Sequence, residues 1–223
     1  MKFYGAAIGK KVAMAVSGLL LIGFVIGHMA GNFKLFLGEE KFNHYAEWLR
    51  EMGSPALPHG GALWIARFAL LAAVLVHIYS AWSLTQISRK ARPQRYRKLT
   101  TQQATYASRT MRWGGVIILL FVIYHLAHFT WGWSWAHPSF DPTNPYRNVV
   151  EGFKVPWVVA FYVVAQIALG FHLFHGFWSA FQSLGWDHEA IDSWRRPAAA
   201  ALAVALTLGN TVIATSVLIG WVS

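Results

Sequence analysis

The chain has 223 residues, 56% of them hydrophobic and only 13% charged, about half the charged share of an ordinary soluble domain. With a mean hydropathy of +0.38 this excludes a water-soluble globular enzyme. The absence of cysteine further excludes disulfides, thiolate-held zinc or iron–sulfur clusters, and the covalent attachment of c-type haem. The formal charge of +10, from 19 Lys/Arg against 9 Asp/Glu, fits either nucleic acid or an anionic membrane surface, and the placement of the charges decides between them.

In chain order, five stretches are apolar over enough residues to cross a hydrocarbon core of about 30 Å: residues 12–33, 62–84, 113–135, 156–181 and 197–222. The expected fold is therefore all-α, one transmembrane domain over residues 1–223 built as a bundle of five helices. The first stretch follows Lys10 and Lys11 and imitates a signal peptide, but its apolar run is longer than a signal core and lacks a small-x-small cleavage site, so it reads as a retained helix. Pro156 and Pro197 open the fourth and fifth stretches, at the helical position where a missing N–H costs nothing. Between the stretches, residues 39–52 have helix-like spacing, and residues 136–155, with DPTNP at 141–145, read as turns.

Charge asymmetry sets the orientation. Thirteen Lys/Arg fall on the side of the N-terminus and the second and fourth connections, against six on the other side, which puts the N-terminus in the cytoplasm and the C-terminus outside. The run RKARPQRYRK at 89–98 is then a topology signal and a contact for lipid headgroups, with no nucleic-acid partner implied.

Six of the ten histidines fall inside the apolar stretches: His28, His77, His125, His128, His172 and His175. Lipid satisfies neither the donor nor the acceptor of a neutral imidazole, so each needs a partner, a proton path or a metal. At 1.5 Å per residue, His28 lies roughly 25 Å and His125 roughly 20 Å above the inner flank, while His77 and His172 lie at roughly 18 and 21 Å. This coarse ladder puts the histidines of the first and third stretches nearer the outside, and those of the second and fourth nearer the inside. Two histidines on facing helices at one level suit bis-imidazole ligation of a b-type haem inserted edge-on, and four ligands give two haems. The spacing leaves His128 and His175 open as alternatives. Gly23, Gly27 and Gly31 beside His28, with Gly170 and Gly176 beside His172, provide slim contacts.

Two haems across the membrane form a path for single electrons, and such a path needs terminals. With no cysteine and no Gly-rich dinucleotide motif, one terminal is another polypeptide and the other a membrane quinone. A quinone takes up protons with its electrons, and the polar groups near the outer pair are Asn32, His44, Glu47 and Glu51.

The patterns IGHMAGN at 26–32, LVHIYSAW at 75–82, FVIYHLAH at 121–128 and FHLFHGFWS at 171–179, followed by LGW at 184–186, resemble the five-helix dihaem cytochrome b anchor of succinate dehydrogenase and fumarate reductase, the single-anchor-chain bacterial type. The resemblance covers four of the five stretches and the last inner loop. It implies haem b ligands at His28 and His125 for the outer haem and at His77 and His172 for the inner one, preferring His125 to His128 and His172 to His175. It also implies menaquinone or ubiquinone as substrate, flavoprotein and iron–sulfur subunits docked on the cytoplasmic face, and a bacterial inner membrane. The succinate site would lie on those partners. Two other readings are a dihaem cytochrome b of a different membrane dehydrogenase, and a proton-coupled transporter using the histidines as a relay. The latter expects mid-membrane acidic residues or broken helices, and no stretch contains Asp or Glu.

Overall fold

A computed structural model describes residues 6–91, 106–186 and 188–223. Among these the regular structure is all helical: α1 (Ala7–Asn32), a 3-10 turn (Phe33–Leu37), α2 (Glu39–Glu51), α3 (Gly61–Lys90), α4 (Tyr106–Phe129), α5 (Pro145–Phe153), α6 (Pro156–Ser183) and α7 (Glu189–Leu218). α1, α3, α4, α6 and α7 are long and apolar enough to cross a membrane. Lys2 and residues 92–98 of the basic run lie outside the described residues; Arg89 and Lys90 form the last turn of α3, where cations suit the negative end of the helix dipole.

Three expectations from the sequence are corrected. Pro197 does not open the fifth membrane helix but lies inside α7, which starts at Glu189 after the extended residue His188; the proline removes one helical hydrogen bond without ending the helix. The third membrane helix stops at Phe129 instead of running to residue 135. There the N–H groups of Thr130 and Trp131 both bond the Leu126 carbonyl, at 2.9 and 2.8 Å, and Gly132 turns the chain with φ +59°, a conformation that costs glycine little. Trp131, Trp133 and Trp135 consequently leave the helix and stand exposed, as aromatic residues do at a membrane interface. The connection 136–155, read as turns, contains α5. Asn144 caps it by accepting from the Arg147 N–H at 3.0 Å, and Pro145 fills its first turn. The expected positions of Pro156, after extended Val155, and of the helix within 39–52 agree with the structure.

α6 is the centre of the bundle, packing along α7, α4 and α1, while α3 packs mainly on α1. The outward faces carry large exposed apolar side chains, including Leu71, Leu75, Trp82, Leu120 and Val164, as expected of helices solvated by lipid chains. A core cluster of Leu35, Phe42, Tyr146, Val150, Phe153, Val158, Tyr162 and Val217 ties α2 and α5 over one end of the bundle. A polar clasp supports it: the Asn43 amide donates to Asn144 at 3.0 Å, Asn144 donates to Glu39 at 2.6 Å, and Asn43 accepts from the Tyr146 N–H at 2.9 Å.

Candidate functional site: two facing histidine pairs

The four histidines singled out above lie on four different helices and meet in twos. His28 on α1 faces His125 on α4 with ring centroids 5.8 Å apart, and His77 on α3 faces His172 on α6 at 6.2 Å. Among the described residues, α1 has no extended contact with α4, nor α3 with α6. In each pair the imidazoles therefore reach across a gap between helices held apart by their packing on other neighbours. No group of three or more His, Cys, Asp or Glu among the described residues is arranged to hold a metal ion. Each site offers two imidazoles.

The separation of the rings in each pair suits a metal held between them. A metal bonded to one nitrogen of each ring at about 2 Å puts the two centroids roughly 6 Å apart, which both pairs match. Ligation also requires one bare nitrogen per ring, and a partner for the other nitrogen orients the ring. Nδ1 of His77 lies 3.1 Å from the Met14 carbonyl and 3.3 Å from the Ser17 hydroxyl; the carbonyl is an acceptor, so Nδ1 carries the proton and Nε2 is bare. Nδ1 of His125 lies 3.1 Å from the Tyr162 hydroxyl, again leaving Nε2 for the gap. Nδ1 of His172 is buried with no hydrogen-bond partner among the described residues. α1 comes close to the His77/His172 pair at Gly18, where a Cβ would lie 3.2 Å from Cε1 of His77.

The two alternative histidines sit differently. His128, 1% exposed, turns toward α5, where a Cβ on Gly152 would come within 2.8 Å of its Nε2. Its Nδ1 is 3.0 Å from the same Tyr162 hydroxyl that meets His125, and its ring packs 5.0 Å from that of His137. His137 in turn donates through Nε2 to the Asn148 carbonyl at 2.9 Å. His175 packs its ring 5.1 Å from Trp178, whose face also carries the guanidinium of Arg196 at 4.9 Å.

Tyr162, His137, Met14 and Ser17 escaped the sequence reading. Hydroxyl and carbonyl partners follow no spacing rule, although Ser17 and Gly18 inside an apolar stretch mark a place where something packs closely. Asn32, His44, Glu47 and Glu51 are not gathered at one point. Glu47 pairs with Arg50 at 2.8 Å and has His59 at 3.8 Å. Glu51 is exposed at the end of α2, and Asn32 ends α1. His44 lines an open cavity of about 550 Å³ with Lys34, Tyr45 and Trp48.

A family model described as the succinate dehydrogenase/fumarate reductase transmembrane subunit matches residues 86–212, more than half of the chain and a span holding His125 and His172, one member of each pair. The chain belongs to this family. No curated protein and no solved structure matches it. This anchor subunit is thus a multi-pass membrane component of a succinate dehydrogenase or fumarate reductase complex, which implies partner subunits.

Proposed function

We propose that the anchor subunit carries two b-type haems and passes electrons between an iron–sulfur partner and a membrane quinone, menaquinone or ubiquinone. The observation that carries this reading is the pairing of four intramembrane histidines across two gaps, at a separation that suits one metal per pair. His28 and His125 hold one haem and His77 and His172 the other. A bound haem supplies a one-electron centre, which an apolar bundle of ordinary side chains lacks. The protein's own contribution is orientation. The Met14 carbonyl fixes the tautomer of His77, and the Tyr162 hydroxyl holds Nδ1 of His125, so that each ring keeps Nε2 for the gap.

The excess of Lys/Arg on the side of the N-terminus supports a cytoplasmic N-terminus and docking of flavoprotein and iron–sulfur subunits on a basic face that includes Lys10, Lys11, Arg89 and Lys90. The His77/His172 pair is then nearer the entering electrons. The His28/His125 pair is nearer a quinone at the opposite edge, where Glu47, Glu51, His44 and Asn32 supply polar groups. The test is performed on the complex purified through the anchor. Flavoprotein and iron–sulfur subunits should co-purify, succinate should reduce b-type absorption, and added quinone should reoxidise it. A complex with no haem absorption, or one whose succinate:quinone turnover survives loss of all four histidines, overturns the proposal.

A further inference from the structure

The Tyr162 hydroxyl meets two imidazoles at once, Nδ1 of His125 at 3.1 Å and Nδ1 of His128 at 3.0 Å, although it has a single proton to give. Tyr162 is 6% exposed and His128 1%, and among the described residues no other polar group bonds this hydroxyl. The direction of both bonds follows from the ligation of His125. If His125 binds haem iron through Nε2, as proposed above, its Nδ1 carries the proton and donates to the tyrosine oxygen. The tyrosine proton then has one acceptor in reach, Nδ1 of His128. The reverse arrangement, with both rings donating to the oxygen, would bury the tyrosine proton unpaired at about 1–3 kcal/mol, whereas the relay places the His128 proton on Nε2, which has no hydrogen-bond partner among the described residues.

We infer that Tyr162 and His128 form a positioning relay, His125 Nδ1–H to Tyr162 O–H to His128 Nδ1, that sets the basicity of the His125 imidazole and with it the reduction potential of the His28/His125 haem. Two hydrogen bonds in series polarise each other, so a hydroxyl whose own proton is taken by His128 accepts more strongly from His125. A more basic axial imidazole favours the oxidised iron and lowers the potential. The relay is held rigidly. Gly152 on α5 backs His128 at a distance that leaves no room for a Cβ, Phe153 packs on Tyr162 with ring centroids 4.9 Å apart, and the His137 ring covers the other side of His128. The His77/His172 pair is built differently: the Nδ1 partner of His77 is the Met14 backbone carbonyl, which also accepts from the Ser17 hydroxyl at 3.1 Å, and no tyrosine or third imidazole stands behind it. The two sites thus differ in a way that allows their potentials to be set apart by the protein alone. His128 accordingly has a role although it faces neither gap.

The inference rests on the haem assignment, and the experiment separates the two. In the purified complex, both haem midpoints are titrated potentiometrically, and low-spin ferric signals are recorded by electron paramagnetic resonance, for wild type, Tyr162→Phe, His128→Leu and His128→Asn. Tyr162→Phe should keep both haems and raise one midpoint alone, by about tenfold in its reduction equilibrium, 59 mV for one electron. His128→Leu should raise the same midpoint by less, and His128→Asn, whose side-chain oxygen can still accept from the tyrosine, should restore it. Tyr162→Phe combined with His128→Leu should give no more than Tyr162→Phe alone, because the bonds lie in series. Should Tyr162→Phe not assemble, the contrast between His128→Leu and His128→Asn carries the same test. Two haems with unmoved midpoints in Tyr162→Phe, or equal shifts in both, overturn the relay and leave the haem assignment standing. A wild-type complex without haem overturns both.

Discussion

Gly18 gives the sharpest handle on the His77/His172 pair. A Cβ built there lies 3.2 Å from Cε1 and 3.4 Å from Nδ1 of His77, and the ring cannot back away freely because the same Nδ1 is bonded to the Met14 carbonyl at 3.1 Å. Gly18→Ala gains about 0.8–1 kcal/mol of helix propensity. Against this stand an overpacking cost of about 1–3 kcal/mol and a weakened hydrogen bond worth about 0.5–1.5 kcal/mol, so the balance is a loss of about 0.5–3.7 kcal/mol, concentrated on His77. Both haems should remain, with the spectrum of one altered. Gly18→Leu puts a side chain where the imidazole stands, and should remove one haem, the same one lost in His77→Ala, with no added loss in the double variant. Gly23→Ala is the control, since a Cβ there meets nothing within 4 Å. The assay is the reduced-minus-oxidised spectrum of the purified complex, resolved by potential into its two components. Retention of both haems in Gly18→Leu, or loss of the haem that His125→Ala removes, would refute the placement of His77 against α1.

Further expectations concern the ligands, the connections and the quinone. Replacing His28 or His125 by Ala should remove one and the same haem, and replacing His77 or His172 the other; loss through His128→Ala or His175→Ala, with His125→Ala or His172→Ala spectrally normal, would reverse the assignment. Asn144→Ala removes the cap of α5 and the bridge between Asn43 and Glu39, a loss of about 1–2 kcal/mol for the cap alone, and hydrogen exchange of the α5 amides should quicken while that of α7 stays as it is. The Thr143 hydroxyl and then its backbone N–H hold the Asp141 carboxyl below its usual range. A depressed folded value means that the turn gains stability above about pH 3.9 and loses it only as pH falls through the lower value; proteolysis of segment 136–145 should therefore stay flat from pH 7 to about 4 and rise below, whereas Asp141→Asn should raise it already at pH 7. If quinone is reduced at the outer edge, succinate:quinone turnover in sealed vesicles should respond to an uncoupler and fall in Glu47→Gln or Glu51→Gln; indifference to all three would put the quinone site on the inner side.

Most of the bundle was legible because lipid solvation imposes long apolar runs; alternating helix direction and the rise per residue gave only a coarse ladder of histidines, and the pairing of His28 with His125 and of His77 with His172 was implied by the family resemblance. The failures were local. Periodicity alone does not reveal that Gly132 would turn the chain before Trp133 and Trp135, since tryptophan is as apolar as the helix it follows. Pro197 looked like a helix start because the residues before it are polar, yet a membrane helix can begin in water and keep a proline inside. α5 announced itself only through Asn144-Pro145, a cap followed by a first-turn proline, embedded in a stretch rich in turn residues. Tyr162 could not be singled out, because its role depends on which two histidines its hydroxyl reaches, and that is a property of the packing of α4 on α6.

The most direct test of the account is a count of haem in the purified complex, with b-type haem measured by its pyridine derivative and the anchor quantified independently. The account predicts two haems per anchor chain in the wild type, one in His28→Ala or His77→Ala, and none when one member of each pair is replaced together. A wild-type value of one or zero, or a value unchanged by removing His28 and His77 together, would contradict it.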